Sequence, residues 1–197
     1  MTEADRLQRA LSRTAGGSSD FDLTPGLILP PDRILRPAAV LLAIWLHPAG
    51  ARIILTKRAS HLKHHPGQIA FPGGKVDPGD ASAESAALRE ASEEVGLAPD
   101  NVQIIGSLPV HETVTGFAIQ PFLGLVRADF IPRPEAGEVD EVFTVPLSHV
   151  LDMQRFGVER RLWLGQWRSY YAVPYGPYYI WGATARILRG LAEQALP

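Results

Sequence analysis

Apolar and polar positions follow two periods along this chain. From Ala38 to Leu46 the run AAVLLAIWL is apolar throughout and of strand length, the pattern of a strand buried on both faces. Arg52–Lys57 is a second strand candidate, and His47-Pro48-Ala49-Gly50 between them reads as the turn of a hairpin. Val102–Leu108, Ala118–Val126 and Val142–Val145 are further strand-like runs, and residues 158–175 suggest another hairpin turning at Gly165-Gln166. Helical spacing occurs three times: in residues 1–15 through Leu7 and Leu11, from Asp80 to the helix-stopping Gly96, and from Gly182 to Ala195 with Ala185, Leu188 and Ala192 on one stripe. Gly16-Gly17-Ser18-Ser19 breaks the chain, and Pro25, Pro30, Pro31 and Pro37 punctuate an irregular segment after it. A loop rich in His, Gly and Pro fills Ala59 to Gly79. Strands interleaved with a few helices predict an α/β domain with a mixed sheet packed between helices, spanning 37–197 behind an extension of residues 1–36.

Composition narrows the function classes. The chain has 197 residues, 46 % of them hydrophobic, enough for one domain with a full core. Nineteen basic and 21 acidic side chains give a formal net charge of −2, so no global positive field exists for nonspecific nucleic-acid binding. With no cysteine, a disulfide framework, a thiolate zinc site and a cysteine nucleophile are excluded. The apolar stretch ending at Leu46 is far too short to span a bilayer, and the N-terminus, with Glu3 and Asp5, lacks a signal-like apolar run. A soluble, cytoplasmic, single-domain protein without nucleic-acid or membrane partners is the expectation.

The chemistry concentrates in Gly73–Leu97. On a helix, Glu90, Glu93 and Glu94 fall at i, i+3 and i+4 on one face, beside an apolar face of Ala87, Leu88, Ala91 and Val95. Carboxylates so placed repel by a few tenths of a kcal/mol per pair, roughly, and a hard divalent cation reverses that sign. An isolated acidic face is more often merely solvated. The Gly73-Gly74 pair immediately upstream argues otherwise, because glycines let backbone approach a ligand closely. Arg89, one turn before Glu93, is placed to clamp that carboxylate.

This segment resembles the signature of the Nudix hydrolases. Gly74, Arg89, Glu90, Glu93, Glu94, Gly96 and Leu97 match, with Ala91 a weak version of the apolar position. Asp80 stands where the first glutamate is expected, and eight residues rather than seven separate it from Arg89. Its position at the start of the helix predicts an N-terminal cap instead. The preceding stretch is similar to the extra motif of the coenzyme A pyrophosphatase branch: Thr56, Arg58, Gly67, Gln68, Phe71, Pro72, Gly73 and Gly74 match, while Lys63 replaces an arginine. Thr113–Phe117 and Ile180–Arg186 also look like segments of that branch.

The resemblance implies a Nudix-type α/β/α sandwich hydrolysing the phosphoanhydride of coenzyme A or acyl-CoA. The products would be 4′-phosphopantetheine (or its acyl form) and adenosine 3′,5′-bisphosphate. It implies Mg²⁺ or Mn²⁺ on Glu90 and Glu94, with Glu93 and a loop carbonyl near Gly74 as further metal candidates. Glu93 or Glu94 would take the proton of the attacking water, with Arg89 as the supporting catalytic residue. Lys57, Arg58, Lys63 and Gln68 would bind substrate. A broader pyrophosphatase acting on ADP-ribose or NADH is the nearest alternative, and a non-catalytic nucleotide-binding module of the same fold the other. His61, His64 and His65 are too loosely spaced to suggest zinc. His111-Glu112 reads as a surface pair more readily than as a base. The aromatic C-terminal third, from Trp163 to Trp181, predicts core or a homodimer interface.

Overall fold

A computed structural model describes residues 3–13, 16–26, 32–163 and 165–195. Pro30 and Pro31 of the expected irregular segment lie outside the described residues, as do residues 1, 2, 14 and 15 of the first expected helix. In chain order the elements are α1 (Glu3–Leu11), β1 (Ser18–Ser19), β2 (Arg36–His47), β3 (Gly50–Arg58), β4 (Ile69–Ala70), β5 (Gly73–Lys75), α2 (Ala83–Val95), β6 (Val102–Ser107), β7 (His111–Glu112), β8 (Phe117–Val126), β9 (Val139–Pro146), α3 (Leu147–Val150), β10 (Gly157–Trp163), β11 (Gln166–Ala172) and α4 (Ala183–Ala195).

Among the described residues, nine strands form one mixed sheet between helices. Its main path is β1-β7-β8-β2-β3-β4, with β5 joined to β2, β6 to β8 and β9 to β3. At its centre, β2 and β8 run parallel from Arg36↔Phe117 to Trp45↔Val126. The expected β2–β3 hairpin is present, closing at His47↔Gly50. The pleat of β2 explains why its sequence is apolar at every position. Ala39, Leu41 and Ala43 face α2, and Leu42 and Ile44 face α4. Facing side chains sort by size across that strand. The small Ala39 and Ala43 meet Ala86, Ala87 and Ala91, which lets α2 lie close to the sheet. The opposite core is built from larger groups, among them Ile53, Leu55, Leu188, Leu191 and Leu7.

Three local expectations need correction. The loop from Ala59 to Gly79 contains β4 and β5, both too short for periodicity to reveal. The second helix begins at Ala83, not Asp80, because Ser82 supplies the cap. In the second hairpin Trp163 pairs with Gln166, so Gln166 belongs to the strand and Gly165, at φ +77°, to the turn. The short α3 and the two-residue β1 and β7 carried no sequence signal.

Candidate active site

Helix α2 owes its start to a reciprocal cap. Ser85 N–H donates to Ser82 Oγ at 3.1 Å, and Ser82 N–H donates to Ser85 Oγ at 2.8 Å. Gly96, left-handed at φ +73°, ends it. With Ala87, Ala91 and Val95 buried on the sheet, Glu90 and Glu94 are carried to the edge of that contact, against the β5 backbone.

Glu94 is 5 % exposed, and its Oε2 accepts the Gly73 N–H at 3.0 Å. Burial pushes its carboxyl up to about 7. The Gly73 N–H and Arg58 oppose that rise, and the charges of Glu90 and Glu138 add to it. Glu90 is raised as well, by burial first, against the pull of Arg89. The two glycines are required by space. A Cβ on Gly74 would stand 2.5 Å from Glu90 Oε1, and one on Gly73 (φ +152°) would stand 2.6 Å from Val40 Cα.

Arg89 ties the acids together. Its Nε and Nη2 donate to Asp80 Oδ1 and Oδ2 at 2.9 and 3.0 Å, a bidentate fork. Its Nη1 donates to Glu90 Oε1 at 3.1 Å and to Glu93 Oε2 at 2.9 Å, and Nη2 also reaches the Lys75 carbonyl at 3.3 Å. The expected clamp on Glu93 is therefore one arm of a larger hub. Asp80 does not cap the helix: it accepts the Asp77 N–H at 2.8 Å and anchors Arg89, which holds its carboxyl below the usual range. Glu93, with a side chain 57 % exposed, sits at the rim.

The predicted substrate residues do not all converge. Arg58 lies within electrostatic reach of Glu94. Its N–H donates to the Gln68 carbonyl at 3.0 Å, and Gly67 N–H donates back to the Arg58 carbonyl at 3.1 Å. These bonds close residues 59–66 into a loop at its base. Strand alternation puts Arg58 on the α2 face with Ile54, and Lys57 on the opposite face with Ile53 and Leu55. Lys57 pairs with Glu141 across the strands and interacts with Asp140. Lys63 is exposed on the loop, and Gln68 is half-buried at its base with its side chain near His65.

One acidic residue escaped the sequence reading. Glu138, just before β9, carries its charge toward both Glu90 and Glu94. No motif marks it, because its approach depends on Ala59 N–H donating to its carbonyl (2.8 Å) and Glu135 N–H donating to the Glu94 carbonyl (3.0 Å). His111-Glu112 also differs from the expectation of a surface pair. His111 is fully buried, 3.5 Å from Asp20 Oδ1, and Arg168 lies equally far from that oxygen. Glu112 pairs with Arg33.

Among the described residues no three acidic or histidine side chains enclose a cation by themselves. Glu90 and Glu94, pressed against the backbone of Gly73-Gly74, nevertheless match what Mg²⁺ takes: one or two carboxylates, with waters and substrate oxygens completing the shell. Burial raises both carboxyls, and the Glu90 charge adds to the rise at Glu94; a divalent cation held between them would offset both costs. The residues fit such an ion.

A family model described as the NUDIX domain matches residues 36–164. An uncharacterized Nudix hydrolase, NudL, of Enterobacter sp. (strain 638) is 46 % identical over 167 residues, covering 81 % of this chain and 82 % of that protein. NudL of Escherichia coli (strain K12) is 44 % identical over the same shares. Among solved structures, the Nudix hydrolase RenU of M. smegmatis superposes with a TM-score of 0.50 at 24 % identity, covering 61 % of this chain and 74 % of its own. The chain belongs to the Nudix hydrolases, a family that uses divalent cations such as Mg²⁺ or Mn²⁺ to cleave phosphoanhydride bonds in nucleoside diphosphate derivatives.

Proposed function

We propose that this protein hydrolyses the phosphoanhydride of coenzyme A or acyl-CoA, releasing 4′-phosphopantetheine or its acyl form and adenosine 3′,5′-bisphosphate. The observation that carries the reading is Arg58, within electrostatic reach of the buried Glu94, at the base of a loop whose Thr56, Arg58, Gly67 and Gln68 fit the coenzyme A pyrophosphatase motif. A cation next to a metal-ready carboxylate pair suits a diphosphate, held by one and cleaved at the other. Glu90 and Glu94 would hold Mg²⁺ or Mn²⁺, which when bound supplies Lewis acidity toward water and phosphoryl oxygen. Asp80 and Arg89 orient Glu90. Glu93 or Glu94 would take the proton of the attacking water, and the exposed Glu138, whose charge reaches both Glu90 and Glu94, is a further candidate for that role. Arg58 offsets charge on the diphosphate, and the exposed Lys63 reads the 3′-phosphate that distinguishes coenzyme A from ADP-ribose and NADH.

The test is kcat/KM for coenzyme A, 3′-dephospho-coenzyme A, ADP-ribose and NADH with Mn²⁺. A charge-assisted contact to the 3′-phosphate is worth about 1.5–3 kcal/mol, so coenzyme A should exceed its dephospho analogue by about ten- to a hundredfold. Lys63→Ala should shrink that gap. Equal rates for the two compounds would refute reading of the 3′-phosphate, and faster cleavage of ADP-ribose or NADH would reassign the substrate.

A further inference from the structure

The hairpin β10–β11 stands apart from the nine-stranded sheet as a sheet of its own. Among the described residues β10 pairs only with β11, and six of its seven residues are exposed, so its outer edge is open. One face of the hairpin carries Val158 and Leu162 with Trp167 of β11, at 55 %, 58 % and 58 % exposure. That face also carries Arg160 between Val158 and Leu162, and the strand is free of proline and lysine, so its edge can take a further strand only where the added strand answers its charges.

The order of charges along β10 says which strand. An antiparallel copy of β10 that keeps the apolar face continuous must pair residues of the same parity, because opposite residues point to the same side. A two-fold axis at Arg160 meets this condition. It sets Glu159 opposite Arg161 of the second copy, twice by symmetry, and Val158 opposite Leu162, also twice. Moving the axis to residue 159 or 161 would oppose Glu159 to Glu159 or Arg161 to Arg161, and neither register yields the two ion pairs. The one like-charge contact in the favoured register is Arg160 with itself. That guanidinium already lies over the Trp167 ring of its own hairpin, 5.8 Å from the centroid.

We propose that this edge is the interface of a homodimer, formed by antiparallel pairing of two β10 strands about Arg160 into a four-stranded sheet. The second copy completes the backbone hydrogen bonds of the edge and merges the two apolar faces into one. The contact is symmetric and closes on itself, so assembly stops at two chains.

Sedimentation velocity of the full chain from 1 to 100 µM tests this, with Glu159→Arg and Arg161→Glu made singly and together. The unmodified chain should shift from monomer to dimer mass across the range. Each single change opposes like charges twice and should leave a folded monomer at 100 µM. Arg161→Glu also gives up the Trp181 ring of its own chain, 5.0 Å from the Arg161 guanidinium, so circular dichroism and Tm are read beside the mass and the mixture and double change decide the outcome. The double change swaps the pairs and should restore the dimer. An equimolar mixture of the two single variants should also dimerise, since every pair is again of opposite sign. A chain that stays monomeric at 100 µM, including one that sediments with anionic vesicles instead, overturns the proposal. So does a dimer that survives both single changes, or one that neither the mixture nor the double change restores.

Discussion

Glu94→Gln should make this protein more stable, and only above a defined pH. Burial raises the Glu94 carboxyl from its ordinary 4.5 to about 7, so between those values the folded chain binds more protons than the unfolded one. Stability therefore falls as pH rises through that window and stays at the lower level above it. At about 1.4 kcal/mol for each pH unit, the penalty at pH 8 is about 3 kcal/mol. Glutamine keeps an oxygen for the Gly73 N–H and carries no charge. In urea unfolding with a chelator present, the variant should exceed the unmodified chain by about 2–3 kcal/mol at pH 8, or roughly 6–10 °C in Tm, and by almost nothing at pH 4.5. Mg²⁺ at pH 8 should raise Tm of the unmodified chain and leave the variant nearly unmoved. A variant no more stable at pH 8, or equally stabilised at both pH values, would show that Glu94 is not a buried, frustrated carboxylate.

Gly74→Ala should drive the Glu90 carboxylate from its seat, lowering kcat about a hundredfold while Tm changes little, because the colliding atoms end a flexible side chain; unchanged turnover would refute the fit. Ser82→Ala should cost about 1 kcal/mol in chemical denaturation with kcat intact, and an unchanged midpoint would mean the cap is idle. Asp80→Asn should lower kcat by about tenfold through loss of the charged partner of Arg89, the opposite of what a simple helix cap would do; full turnover would return Asp80 to a purely structural place. Arg58→Ala should raise KM at least about tenfold and Lys57→Ala less than threefold or so, since the pleat turns Lys57 away; equal effects would overturn that division.

Much of the site was legible because it is local. The i, i+3, i+4 spacing of Glu90, Glu93 and Glu94, the upstream Gly73-Gly74 and the stop at Gly96 are properties of one helix and one turn, and periodicity plus glycine chemistry suffice to read them. The apolar run of β2 likewise declared a strand covered on both faces. What the chain could not declare is which of three facing acids would be buried. That was decided by β5 crossing above α2, which puts a backbone N–H on Glu94, leaves Glu93 at the rim and gives Asp80 to Arg89 instead of to the helix end. Neighbouring cations were separated in the same way, Arg58 to the α2 face and Lys57 to the other, because adjacent residues on a strand point apart. Glu138 approaches Glu90 and Glu94 from more than forty residues away along the chain, and His111 disappears beneath Asp20 and Arg168. Sequence spacing encodes contacts within one element. Burial, and with it the pKa of a carboxylate, is set by segments distant in sequence that pack against it, so only the tertiary structure could assign it.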